Sequence, residues 1–258
     1  MSASISFDRA ADYYDQTRGL PDHLMAQLVA ALVAELPRRG RCLEIGIGTG
    51  RIALPLMEHG VDVVGVDISV EMLRRLRAKS GGREMRIAIA DATRLPFADR
   101  TFTSAIASHV LHLIPEWKVA LEELERVVEP GGVLLASRSA NAHAEWQRAV
   151  RRHFFDAAGN PEWPPGMSRI DDLDAEMRRR GAEVRVVRDI HNEELVSISE
   201  LLAALEMGIW SACWAVDEET RRRAARETRE WATKEFGDLD AKRPTRHESD
   251  WRAYRLAQ

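Results

Sequence analysis

Residues 41–51 read Arg-Cys-Leu-Glu-Ile-Gly-Ile-Gly-Thr-Gly-Arg, an apolar run with one acid that ends in glycines at positions 46, 48 and 50. Glycine at alternate positions lets the backbone take positive φ and approach a bound group with no Cβ in the way. Between a buried parallel strand and a helix N-terminus, such a turn forms a nucleotide-binding corner. A tight strand-to-helix turn with no ligand is the other reading. Which nucleotide binds is decided by the residues beyond the third glycine.

The rest of the chain fits a fold built outward from that corner. An amphipathic arm over residues 7–18 precedes a helix opened by Pro21 and running to Leu36. Strands are predicted at 41–45, 61–66, 85–90, 101–108 and 133–137, each with an apolar or β-branched run. Helices are predicted between them at 51–59, 70–79 and from Pro115, with Pro55 expected to kink the first. Strands and helices alternating on this rhythm mean an open parallel sheet covered on both faces. After Arg138 the rhythm changes. Helical stretches at 141–158, 171–180, 194–206 and 217–236 are expected, with a sixth strand at 183–190 and a last one at 250–256. The expected organisation is an arm and helix (1–40), a binding core (41–138), and helical cap segments plus the last two sheet strands (139–258), one catalytic domain in all.

Composition narrows the partners. A net charge of -4 argues against a nucleic-acid partner, and the arginines near 221–229 interleave with glutamates as on a solvated helix face. No apolar run is long enough to span a membrane, and the N-terminus lacks the pattern of a signal peptide. Cys42 and Cys213 sit in apolar stretches, which fits a reducing, cytoplasmic setting better than a disulfide or zinc framework. The sequence leaves the oligomeric state open.

A dinucleotide fingerprint needs glycine where Arg51 stands, and a P-loop needs a Gly-Lys-Ser/Thr ending that is absent. There remains an E-x-G-x-G-x-G run with an acid, Asp67, about 20 residues on, suited to chelating a ribose diol. With these residues the chain resembles the class I S-adenosylmethionine-dependent methyltransferases, more narrowly the small-molecule branch of the ubiquinone/menaquinone-biosynthesis type. The resemblance rests on Leu43 to Gly50, Val64 to Ser69, Asp91 to Phe97 and Glu129 to Gly132. It implies a Rossmann-like α/β fold, doubly wound, with a mostly parallel seven-stranded sheet and a helical cap. By position it implies that Gly46, Gly48 and Gly50 pass close to the methionine part of S-adenosylmethionine and that Glu44 orients the loop and helps hold the ammonium. It also implies that Asp67 takes the ribose diol, Ile68 packs on the adenine, and Asp91 with the Ala92 backbone reads the adenine edge. Ser108 would approach the amino-acid end near the methyl. The arm, Tyr13 to Arg18, would fold over the cofactor, with Arg18 as a carboxylate partner.

Methyl transfer from a sulfonium is an in-line displacement, so alignment and exclusion of water matter more than acid strength. Trp146, Phe154, Phe155, Trp163, Trp210 and Trp214 lie in segments that could form a cap. An O- or N-acceptor of high pKa would also need a base. His109, just past the fourth strand, is the best-placed candidate, with His112 in support; His143, His153 and His191 lack positional support. No metal-ligand spacing is present. Residues 108–112 read Ser-His-Val-Leu-His where amino-methylating enzymes of nucleic acids carry Asn/Asp-Pro-Pro-aromatic, and neither cysteine follows a proline as cytosine-C5 chemistry requires. The expectation is a small-molecule O, N or C acceptor, apolar or aromatic. The alternatives are a non-catalytic S-adenosylmethionine-binding protein and, at a greater remove, an NAD(P)-dependent oxidoreductase.

Overall fold

The computed structural model describes residues 4–138, 144–187, 191–248 and 250–258. The chain divides into two compact units: residues 1–139, 165–190 and 249–258 form one, and residues 140–164 and 191–248 the other.

The first unit carries the expected sheet. Strands β1 (Arg41–Ile45), β2 (Asp62–Asp67), β3 (Arg86–Ile89), β4 (Phe102–Ser108) and β5 (Val128–Ser137) are parallel, in the order β3-β2-β1-β4-β5. Strand β6 (Glu183–Val186) and the last strand of the chain, Trp251–Arg255, extend it to seven, the last strand lying antiparallel between β5 and β6. The strand order reverses between β1 and β4. Ligands of open α/β sheets bind above the carboxyl ends of the strands at such a reversal.

The inner parallel strands β1, β2 and β4 are buried on both faces, as their near-continuous apolar runs require, while the edge strand β3 stays partly exposed. One face packs α5 (Trp117–Val127) and α7 (Ile170–Arg179) over Leu43, Ile45, Ala105, Leu134 and Ala136. The other packs α2 (Asp22–Glu35), α3 (Ala53–Glu58) and α4 (Val70–Lys79) over Cys42, Val63, Ile106 and Leu135. Tyr254, fully buried in the last strand, donates its hydroxyl to Asp174 Oδ1 at 2.8 Å and so ties α7 to the sheet. Cys42 is buried and its thiol is pushed up to about 12 by desolvation, which makes it inert at neutral pH.

Two expectations change here. Helix α3 starts at Ala53 rather than 51, so Pro55 falls in its first turn, where an N–H has no intrahelical partner to lose. Strand β5 starts at Val128 rather than 133, with its register shifting between Phe102 and Ser104 of β4.

The second unit holds α6 (Glu145–Ala157), α8 (Ile198–Met207), α9 (Glu218–Phe236) and a two-stranded antiparallel sheet, β7 (His191–Val196) with β8 (Arg243–Glu248). The sheet's last strand in the first unit is therefore β9 (Trp251–Arg255). The predicted helix 194–206 is corrected: Ser197 caps α8 in a box with Glu200, and the residues before it pair with β8. That strand pairing joins segments about 50 residues apart, beyond any local pattern. Arg222 and Arg223 do form i,i+4 pairs with Glu218 and Glu227. Arg221, expected on the same solvated face, is instead buried and donates to the carbonyls of Glu206 and Val216. Phe154 belongs to this unit's core, and His153 stacks on Trp231 at 4.5 Å. His143 and the side chain of His191 lie outside the described residues.

Candidate functional site

The glycine turn leaves β1 and lies against the end of β2: the N–H of Ile47 donates to the carbonyl of Val66 at 3.0 Å. Gly48 has φ +55°, and a Cβ there would have no atom nearer than Gly46 O at 3.9 Å. Its glycine is required by conformation alone, and its open side faces a cleft. Gly50 differs. A Cβ there would lie 2.3 Å from Leu76 Cδ1 and 3.0 Å from Leu54 Cγ, so this glycine lets the turn pack onto α3 and α4. Gly50 does not line the cleft, against the expectation that all three glycines face the ligand. Gly46 and Gly48 do.

The cleft lies above the carboxyl ends of β1, β2 and β4 and opens to solvent, with about 640 Å³ of space inside and at its mouth. Asp67, Ile68, Asp91, Ala92, Ser108 and His109 all line it. Asp67 accepts the N–H of Gly48 on Oδ2 and of Ser69 on Oδ1, each at 2.8 Å, and burial raises its carboxyl above the ordinary value. A carboxylate has about four lone-pair directions, so two bonds to the backbone fix it and leave capacity for a ligand diol. Asp91 accepts the Thr93 N–H at 2.9 Å and hydroxyl at 2.8 Å on Oδ1, which holds the carboxylate in a local turn. His109 has φ +52° and donates its N–H to the Ser137 carbonyl at 3.0 Å, which fixes the backbone just past β4.

Glu44, next to last in β1, does not itself line the cleft. It is 2% exposed, and its Oε2 has no hydrogen-bond partner among the described residues. Desolvation pushes its carboxyl up to about 8, the Arg51 cation pulls it down, and the Asp67 charge pushes it further up. Arg51 Nη2 lies 3.4 Å from Ser108 Oγ. In the sequence Arg51 serves only to exclude a dinucleotide; in the structure it is the countercharge of the buried acid.

The N-terminal arm supplies a wall that sequence motifs describe only in outline. Ser4, Ile5, Phe7 and Tyr14 line the cleft together with Val110, Leu113 and Ile114. Ser4 Oγ donates to Asp91 Oδ2 at 3.2 Å, and the Ile5 N–H donates to the Leu113 carbonyl at 3.2 Å. The arm's acids dock it along α4. Asp8 accepts the Ser69 hydroxyl at 2.6 Å and the Glu71 N–H at 3.1 Å; Asp12 pairs with Arg75; Asp15 pairs with Lys79 at 2.8 Å and accepts the Thr49 hydroxyl at 2.6 Å. Acids at 8, 12 and 15 thus meet the helix start, Arg75 and Lys79 in order. The only signal in the sequence is the matching spacing of the two rows, which has no meaning until arm and helix are known to touch. Arg18 ends the short helix α1 (Tyr14–Arg18), and its side chain lies outside the described residues.

Comparison with known proteins agrees with this geometry. Residues 43–136 match the model of a methyltransferase domain. A phosphatidylethanolamine N-methyltransferase of Cereibacter sphaeroides is 40% identical over a region covering 39% of this chain and 56% of the relative. A demethylmenaquinone methyltransferase of Renibacterium salmoninarum is 35% identical over 51% of this chain and 56% of the relative. The chain therefore spans little more than half the length of these curated relatives. Among solved structures, a Bacillus halodurans protein superposes with a TM-score of 0.62 at 18% identity, covering 91% of this chain and 99% of that one. At that identity the likeness speaks to the fold alone. Among the described residues, no helix is long and apolar enough to cross a membrane.

Proposed function

We propose that this chain, whose residues 43–136 match the model of a methyltransferase domain, is a class I S-adenosylmethionine-dependent methyltransferase that transfers a methyl group to a small apolar or aromatic molecule. One observation carries the reading: the Gly46–Gly48 turn, Asp67 and Asp91 share a single cleft, and two residues before that turn Glu44 Oε2 is buried with no hydrogen-bond partner among the described residues. A ligand with an ammonium group, a ribose diol and an adenine amine matches those acceptors. The missing partner of Glu44 Oε2 is the point at which the residues fit the cofactor, because a buried acceptor without a donor is costly.

When bound, S-adenosylmethionine supplies an electrophilic methyl group on a sulfonium. Asp67 takes the ribose hydroxyls on the lone pairs that Gly48 and Ser69 leave open. Asp91 and the Ala92 backbone take the adenine edge, and Ile68 packs on its face. Glu44, which burial keeps largely protonated in the free protein, gives up its proton and takes the ammonium, with Arg51 as its countercharge. Phe7 and Tyr14 of the arm shed water from the cleft, which strengthens each of these contacts and aligns the reactants. His109 holds the position from which an acceptor proton is removed when the acceptor is a hydroxyl or an amine.

The acceptor is read from the cleft wall of Ile5, Phe7, Val110, Leu113 and Ile114, which favours an apolar body. The two relatives are named for phosphatidylethanolamine and demethylmenaquinone as their methyl acceptors. Incubating the protein with methyl-labelled S-adenosylmethionine and a metabolite extract is expected to label an apolar small molecule. Calorimetry with S-adenosylhomocysteine and NAD is the companion test; binding of NAD without S-adenosylhomocysteine would overturn the reading.

A further inference from the structure

At the opposite end of the same strands lies a second, wider groove, enclosing about 1900 Å³ open to solvent. It is formed by the loop before β1, the turn before β2 and the starts of β3 and β4. Its cations are Arg38, Arg39, Arg41 and Arg86, and its acid is Asp62. Asp62 is spent on Arg86, which it holds through two contacts of 3.0 Å. The neighbouring acids are also committed, Glu35 to Arg185 and Glu58 to Arg83. Arg38, Arg39 and Arg41 are exposed and take part in no ion pair among the described residues. Three uncompensated guanidinium groups within four residues stand out on a chain of net charge -4.

The loop that carries them is fixed. Gly40 has φ +99°, and a Cβ there would lie 2.1 Å from Thr103 Cγ2, so the loop is pressed onto β4. The Thr103 hydroxyl donates to the Arg41 carbonyl at 3.3 Å, and the Arg41 guanidinium lies 5.8 Å from the Phe102 ring centroid. Planar guanidinium forks on a fixed loop suit a polyvalent oxyanion, which accepts several paired N–H bonds at once. An apolar ligand has no comparable reason to settle in so polar and open a groove.

We propose that this groove is a second binding site, which takes a phosphate-bearing anion on Arg38, Arg39 and Arg41. Strands of this length span about 15–20 Å, so the site stands clear of the methyl-donor cleft and does not compete with it. The anion is either a free phosphate compound or the headgroup of an anionic lipid, and the chemistry at the arginines is the same.

The test titrates the full chain at low salt with inorganic pyrophosphate, and separately sediments it with vesicles of phosphatidylglycerol or of phosphatidylcholine. Binding is expected to pyrophosphate, to phosphatidylglycerol vesicles, or to both, and to weaken about tenfold or more in the triple variant Arg38→Gln, Arg39→Gln, Arg41→Gln and with added salt. Pyrophosphate binding without vesicle binding assigns a free compound; vesicle binding assigns the lipid. The control variant Arg222→Gln, Arg223→Gln is expected to bind as the parent does, and S-adenosylhomocysteine affinity is expected to be unchanged in the triple variant. The single variant Arg39→Glu gives the same direction with less risk to folding. Absence of binding to both probes, or binding that survives the triple substitution, overturns the proposal.

Discussion

Replacing Glu44 by Gln tests the buried acid of β1. The side chain keeps its shape and loses its ionisation. In the folded protein the carboxyl titrates at about 8 against an ordinary value of 4.5. Because the folded value is the higher one, the stabilising contribution is fully present below about pH 4.5 and is lost as pH rises toward 8. The unfolded chain releases the proton first, and ionising the buried group is what folding then opposes. Between about pH 5 and about pH 7.5 those two values correspond to about 3 kcal/mol of lost stability, as an upper estimate for a buried group with a countercharge nearby. Urea unfolding across that range should show the Gln variant less steeply pH-dependent than the parent by an amount of this order, and the more stable of the two near pH 7.5. The same substitution should weaken S-adenosylhomocysteine binding about tenfold to a hundredfold, since a charge-assisted bond to the ammonium is lost. In the parent, that binding should release a proton, seen as calorimetric heats that depend on the buffer. Parallel stability curves for parent and variant would refute the argument, whatever the effect on binding.

The two glycines of the turn should separate cleanly. Gly50→Ala meets Leu76 and Leu54 at positive φ and should cost about 2–4 kcal/mol by thermal unfolding, whereas Gly48→Ala carries the conformational cost alone, about 1 kcal/mol; equal losses would contradict the packing role of Gly50. Asp12→Asn with Asp15→Asn should loosen the arm from α4, raising the S-adenosylhomocysteine dissociation rate in stopped flow; added salt should speed release in the parent more than in the variant. Once an acceptor is in hand, His109→Gln should lower turnover about a hundredfold at unchanged cofactor affinity, and an unchanged rate would remove His109 as the base.

The parts of the site that are legible from sequence are those tied to a strand end. Asp67 closes β2 and Asp91 comes just after β3, and in an open parallel sheet the carboxyl ends of adjacent strands converge wherever the order reverses. Knowing the strands is therefore enough to bring these residues to one cleft. The glycines are legible as a group, but their separate reasons are not, because only neighbouring atoms distinguish Gly48 from Gly50. The end of strand β7, residues 194–196, reads as helix in the sequence because its partner β8 is remote in the chain. Arg221 reads as solvated because the carbonyls that satisfy it belong to Glu206 and Val216.

By itself, then, the chain's linear pattern determined a doubly wound sheet, its nucleotide corner and the acids at its rim, since these come from periodicity and from glycine's freedom at fixed positions. Tertiary structure alone decided how the arm's acids dock on α4 and that, among the described residues, Glu44 Oε2 lacks a donor and the three arginines at and just before the start of β1 pair with no acid. Those outcomes depend on which distant groups become neighbours and on how much water they lose, and neither quantity is local to any stretch of sequence.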